Sequence, residues 1–129
     1  MLYPFELRRN KSRYAIYNDY VTIFSHNLLV FGQLVYCFLS EVANTVKPPK
    51  VISMSYGSLE THMVASVYIG FDTVAIKLGM QGTTLFSSSG DDGVSPFYAR
   101  SDGSKCGYVP VFPTSSPYVI SVGGTIVSL

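Results

Sequence analysis

Between Pro48 and Gly90 the hydrophobic pattern changes period twice, and few folds accommodate both changes. Pro48-Pro49 stops any preceding helix, because neither proline donates a backbone hydrogen bond. Val51-Ile52-Ser53-Met54-Ser55-Tyr56 is then a β-prone run closed by Gly57, which predicts a strand. Val64, Val67, Phe71, Val74, Ala75 and Leu78 follow at three- and four-residue spacing and predict a helix over about 59–78. Ser58 is placed to cap it, and Glu60 in its first turn complements the helix dipole. Gly70 inside this pattern costs on the order of 1 kcal/mol against alanine, so a packing reason such as close approach to the sheet is expected. Gly79 and Gly82 end the helix, and Thr83-Thr84-Leu85-Phe86 returns to strand. Strand, helix, strand in this order makes two parallel strands with a right-handed crossover. Their continuous apolar character predicts burial on both faces. The fold class is therefore α/β, a parallel sheet with flanking helices.

The second strand runs directly into Ser87-Ser88-Ser89-Gly90-Asp91-Asp92-Gly93. Small residues let another group approach the backbone closely. A carboxylate at the tip of such a turn sits where open α/β sheets place ligand chemistry. Asp-Gly pairs also occur in turns for conformational reasons alone, and the stretch by itself leaves both readings open. Residues 91–117 read as a long loop, and loops beyond about 12–15 residues are usually functional or mobile. Tyr118-Val119-Ile120-Ser121-Val122 reads as one more short strand before the turn Gly123-Gly124-Thr125.

Composition narrows the class. With 129 residues, 47% hydrophobic and 13% charged, the chain is one domain's worth of core-forming sequence. A formal net charge of +1 gives no electrostatic case for a nucleic-acid partner. Cys37 and Cys106 form no metal-ligand pattern and no disulfide framework. Arg8, Arg9, Lys11 and Arg13 precede the apolar run 28–39, LLVFGQLVYCFL, which imitates a signal peptide. The run is shorter than the roughly 20 apolar residues a membrane span needs, and Gln33 interrupts it. A buried helix from about Leu34 to near Asn44 is the preferred reading, with residues 1–33 left unassigned.

Recognisable catalytic arrays are sparse. His26 and His62 are the two histidines, and no Gly-x-Ser-x-Gly elbow or HExxH pair accompanies them. Asp91, Asp92 and Asp102 lack the alternating oxygen ligands of a calcium loop. The 90–93 turn lacks the Lys-Ser/Thr of a phosphate loop. No metal site is expected.

Three strings, VISMSYG at 51–57, AIKLGMQGTTLFSSSGDDGV at 75–94 and CGYVPVFPTSSPYVISVGGT at 106–125, together resemble the sedolisin family of serine-carboxyl peptidases. The resemblance covers about Leu39 to Thr125 and implies a fragment of a subtilisin-like parallel sheet. It divides the chain into an unmatched extension, 1–36, and a partial peptidase domain, 37–129. It implies that Asp91 is the catalytic-site residue of the oxyanion hole. A protonated carboxyl can donate a hydrogen bond to a developing oxyanion and an ionised one cannot, which suits a family that prefers acid. It implies that Ser55, Tyr56 and Gly57 bind substrate main chain as an edge strand, with Ser89 and Gly90 beside them. Ordinary core packing is the alternative for Tyr56. The resemblance further implies a cis peptide bond at Phe112-Pro113, a state that only about 5–6% of X-Pro bonds adopt.

The family's nucleophilic serine motif, its Glu/Asp base pair and its calcium segment have no counterpart in these 129 residues. Glu6 and Glu41 are the upstream glutamates, and neither has an aspartate four residues later. The expectation is a peptidase fragment whose partners are peptide or protein substrates, with no cofactor of its own, no nucleic acid, no membrane span and the remainder of the catalytic domain missing. Hydrolysis by this polypeptide alone is not expected; a non-catalytic module that keeps the peptide groove is the alternative. Family members are usually secreted, vacuolar or lysosomal.

Overall fold

The computed structural model describes residues 5–9, 12–17, 20–24, 28–105 and 107–124, with side chains from Gly32 onward. The readings placed on His26, Cys106 and Thr125 fall outside these. Three strands open the chain: β1 (Phe5–Arg9), β2 (Ser12–Tyr17) and β3 (Tyr20–Phe24). Helix α1 (Leu28–Ala43), β4 (Val51–Met54), β5 (Ser58–Leu59), α2 (Ala65–Met80), β6 (Thr84–Ser88), β7 (Val111–Phe112) and β8 (Ile120–Val122) follow. One sheet has the order β1-β2-β3-β4-β6-β8. β1, β2 and β3 pair antiparallel, whereas β3–β4, β4–β6 and β6–β8 pair parallel. In register, Val51 faces Thr84 and Ile52 faces Leu85. β5 and β7 form a separate antiparallel ribbon.

The parallel α/β class expected from residues 50–88 is present. It extends in both directions, because β3 precedes β4 through α1 and β8 follows β6. The boundary drawn at residue 36 falls inside α1, which starts at Leu28 rather than near Leu34. In α1, Val35, Phe38, Leu39 and Val42 repeat at helical spacing and are all buried. They join Ile52, Met54, Phe71, Ala75, Leu78 and Leu85 in a single core. Burial of the strands is one-sided, contrary to the expectation of two covered faces. Ile52 and Met54 are buried while Val51 and Ser53 are partly open, and β6 alternates likewise. Both helices belong to the core on one side of the sheet, and Val51, Ser53 and Phe86 on the other side are partly open among the described residues.

The helix of the second crossover starts later than its hydrophobic stripe. α2 begins at Ala65, its cap position is Val64 without a side-chain cap bond, and Val64 is 64% exposed. Ser58 therefore caps nothing; it lies in β5, and Glu60–His62 form a short 3-10 turn before α2. The other end is well made. Gly82 has φ +81, Thr83 N donates to the Leu78 carbonyl and Gly82 N donates to that of Gly79. These are the two bonds of a Schellman ending, which needs a residue that tolerates positive φ. Gln81 Nε2 also donates to the Ala43 carbonyl at 3.1 Å, so the end of α2 satisfies the end of α1.

Gly70 answers to α1 rather than to the sheet. A Cβ there would stand 2.9 Å from the Tyr36 ring. Gly32 is the counterpart on α1, with Met63 Sδ 2.6 Å from its notional Cβ. Gly70→Ala is expected to destabilise the chain by about 1 kcal/mol, since overpacking outweighs the gain in helix propensity. In a Tyr36→Ala background the same change becomes stabilising by up to about 1 kcal/mol. Urea denaturation of the four chains of this cycle measures the reversal; an unchanged sign would show that Tyr36 is not the obstacle.

Candidate functional site

β4 and β6 run parallel, so their carboxyl ends open on the same edge of the sheet. Beyond them the chain turns through Gly57 after β4 and through Ser89-Gly90 after β6. These turns meet around a cavity of about 130 Å³. Gly57, Ser58, Leu59, Ser89, Gly90 and Asp91 line one part of it. Asp92, Gly93, Ser95 and Phe97 from the following loop, with Val111 from β7, line the rest.

Local conformation puts the carboxylates there. Gly90 has φ +90 and Gly93 has φ +63, so the two aspartates are bracketed by residues in a region that L side chains avoid. Ser89 N donates to the Val122 carbonyl at 2.9 Å, which ties the root of the turn to β8. Asp91 is exposed, and the Asp92 carboxylate accepts a charge-assisted bond from Arg100 Nε. Arg100 closes a 3-10 turn, Phe97–Arg100, that sits within the stretch expected to be irregular loop.

The opposite wall is held by hydrogen bonds to the residues on either side of β7. The Phe112-Pro113 bond is cis, as the family resemblance implied. Glu60 N donates to the Pro110 carbonyl at 3.0 Å, and Ser115 Oγ donates to Glu60 Oε1 at 2.6 Å. Ser116 Oγ donates to Asp72 Oδ1 at 2.6 Å, and Thr114 Oγ1 donates to the Ser88 carbonyl at 2.8 Å. Glu60 thus anchors the ribbon, a more specific task than complementing a helix dipole. The Tyr68 hydroxyl donates to the Glu60 carbonyl.

Burial raises the Tyr68 phenol above its ordinary 10.0, and the Glu60 charge adds to the rise. The folded chain therefore holds that proton more tightly than the unfolded chain. Its contribution is intact below about pH 10 and is lost as pH climbs through the raised value. Wild type is expected to lose more stability than Tyr68→Phe between about pH 9 and pH 11, measured by urea denaturation at both.

Of the residues singled out from sequence, Gly57, Ser89, Gly90 and Asp91 come together around the cavity. Ser55 is exposed and does not line it. Tyr56 is half-buried and packs against the core. His62 is exposed in the 3-10 turn before α2. Leu59, Phe97 and Val111 were missed. Folding over long range brings Leu59 and Val111 to the turn, while Phe97 and Asp92 stand close to Asp91 in sequence. The hydroxyls of Ser58 and Ser87 are buried with no hydrogen-bond partner among the described residues. Such orphans cost about 1–3 kcal/mol each. Among the described residues no cluster of His, Cys, Asp and Glu could hold a metal ion, and no helix is long and apolar enough to cross a membrane. Cys37 is an exposed free thiol on α1.

No family model matches the chain. Individual proteins do. Tripeptidyl-peptidase SED1 of Arthroderma otae is 39% identical over 101 residues, covering 67% of this chain and 14% of the relative. Aorsin of Aspergillus oryzae is 36% identical over 87 residues, 61% of this chain and 13% of the relative. Physarolisin of Physarum polycephalum is 32% identical over 106 residues, 73% of this chain and 18% of the relative. The chain belongs to the sedolisin family. This sedolisin chain spans only 13% to 18% of the length of these curated relatives. The cavity at the carboxyl ends of β4 and β6 is lined by both Asp91 and Gly57.

Proposed function

We propose that this chain forms the oxyanion side and part of the peptide groove of a serine-carboxyl peptidase site. The observation that supports this most is the convergence of Gly57, Ser89, Gly90 and Asp91 on one cavity beyond two parallel strands. In this reading the Asp91 carboxyl, in its acid form, donates a hydrogen bond to the oxygen of a scissile carbonyl as charge builds on it, whereas a carboxylate cannot. The backbone beside Gly57 pairs with the extended substrate, and its side chain enters the cavity. A donor of this kind is worth about 10²–10³ in rate when nucleophile and base are in place. The 129 residues carry no match to the family's serine or Glu/Asp motifs, so the polypeptide by itself binds peptide and does not cut it.

The test is nuclear magnetic resonance of the labelled chain with a blocked tripeptide of apolar residues. Shifts are expected at Gly57, Ser89, Gly90 and Asp91. Asp91→Asn is expected to leave the affinity within about twofold, because the ground-state carbonyl carries no developed charge. Incubation with an unfolded protein at acid and neutral pH is expected to yield no fragments. Inhibitor-sensitive cleavage, or shifts confined to other surfaces, would overturn the reading.

A further inference from the structure

The turn that carries Asp91 is fastened at its root rather than packed. Gly90, Asp91 and Gly93 are exposed. Among the described residues, no heavy atom beyond the chain neighbours lies within 4 Å of a notional Cβ on either glycine. Packing therefore leaves the direction of the turn open, and hydrogen bonds choose it. Arg100 ties Asp92 only to the loop that continues from the turn. Ser89 N donates to the Val122 carbonyl at 2.9 Å, but Val122 stands on the edge strand β8 and is half exposed. The remaining tie comes from the core. Thr114 Oγ1 donates at 2.8 Å to the carbonyl of Ser88, the last residue of β6. Phe112 and Pro113, just before Thr114, are fully buried. Ser115 N donates to the Val111 carbonyl at 2.8 Å and Ser116 N to that of Pro113 at 3.0 Å, so the backbone around Thr114 is held as well. The next two hydroxyls reach elsewhere, Ser115 to Glu60 and Ser116 to Asp72 on α2. Of three consecutive hydroxyls, the first alone engages the strand that leads into the carboxylate turn.

We propose that Thr114 is a positioning residue for the carboxylate turn: its hydroxyl, held from the core, fixes the Ser88 carbonyl and with it the direction in which Ser89, Gly90 and Asp91 leave β6. A donor whose own backbone is locked by burial and hydrogen bonds places its acceptor more narrowly than a mobile one does. That the turn so placed serves a peptide rests on the peptidase reading above; the fastening does not. Thr114 is not part of the cavity lining, acts through Ser88 and touches no reacting atom.

Thr114→Val removes the donor and keeps the shape of the side chain. Thr114→Ser restores the donor. Ser116→Ala is the control, since it removes a hydroxyl bond of the same tripeptide without touching β6. Amide hydrogen exchange of the labelled chains reads the turn at Ser89 N–H and the rest of the fold at Thr83 N–H, which donates to the Leu78 carbonyl at 3.0 Å. In Thr114→Val the Ser89 amide is expected to exchange about fivefold faster relative to Thr83, the size of one neutral hydrogen bond. The ratio stays at the wild-type value in Thr114→Ser and in Ser116→Ala, because a loss of global stability speeds both amides alike. An unchanged ratio in Thr114→Val, or an equal rise in Ser116→Ala, overturns the proposal. The second arm titrates the blocked tripeptide. Ser89 and Gly90 line the cavity with Asp91, so affinity is expected to fall about fivefold in Thr114→Val and to stay within about twofold in Thr114→Ser. Wild-type affinity in Thr114→Val overturns the positioning role. If the exchange ratio rises while wild type binds no tripeptide, the peptidase reading fails and the fastening of the turn by Thr114 stands.

Discussion

Alanine at position 112 is expected to cost about 3–5 kcal/mol and to abolish cooperative unfolding of this chain. Phe112 is 1% exposed and sits at the centre of three rings. Its centroid lies 4.9 Å from Phe71 and 5.4 Å from Tyr68, both edge-on. Edge-to-face pairs add about 0.5–1.5 kcal/mol to the burial of the rings themselves. The same residue pairs with Ser58 in the β5–β7 ribbon, so its loss also loosens one wall of the cavity. Domains of this size hold only about 5–15 kcal/mol in total. This one starts with little to spare, because Ile120 and Val122 of β8 remain about half exposed at the sheet edge. Thermal and urea unfolding followed by circular dichroism measure the effect. Phe97→Ala, at a ring that is 54% exposed, is the control and is expected to cost about 1 kcal/mol or less. Comparable losses in both variants would mean that Phe112 is not a core residue.

Gly57→Ala is expected to destabilise the chain by about 1–3 kcal/mol and to remove peptide binding. A Cβ at this position would lie 2.7 Å from Val111 Cγ1 and 2.9 Å from the Phe112 carbonyl oxygen. The carbonyl belongs to a paired strand and cannot swing aside as the end of a long side chain does. The ribbon must move, and Val111 with it, which reshapes the cavity that both residues line. Gly93→Ala makes the useful comparison. Gly93 has φ +63 with open space around its notional Cβ, so the cost there is backbone strain of about 1–2 kcal/mol without collision. Denaturation alone does not separate the two variants; tripeptide titration does. Retained wild-type affinity in Gly57→Ala would show that the close approach of β7 is irrelevant to binding.

The short-range chemistry of residues 48–90 was legible because it is local. Pro48-Pro49, the strand run from Val51, the stripe through Phe71 and Leu78, and Gly82 each act on neighbours within a turn or a strand. Misplacement of the start of α2 has an equally local cause. Ser58 and Glu60 have the chemistry of a helix N-terminus, but β7 pairs with Ser58 and Ser115 engages Glu60, and these contacts span over 50 residues. Pairing of this kind outranks a cap worth about 1 kcal/mol. The strands β1, β2 and β3 escape a reading from sequence for a related reason. Runs of five or six residues alternate too briefly to be told from irregular chain until a neighbour pairs with them.

The same division holds at the site. Sequence alone determined the α/β class, the family and the glycine-bracketed carboxylate at Asp91, because motif residues and backbone permissiveness are properties of a few adjacent positions. The tertiary structure decided that Tyr56 packs against the core and that Gly57 meets β7. It also decided that Arg100 pairs with Asp92 and that Phe97 and Val111 line the cavity. Tyr56 and Gly57 meet segments far apart along the chain, whereas Arg100 and Asp92 lie eight residues apart within one loop. The distant contacts form only when burial of the shared core brings the segments together, and the loop contact only when the turn between Gly90 and Gly93 folds the chain back, so no local hydrophobic pattern encodes either.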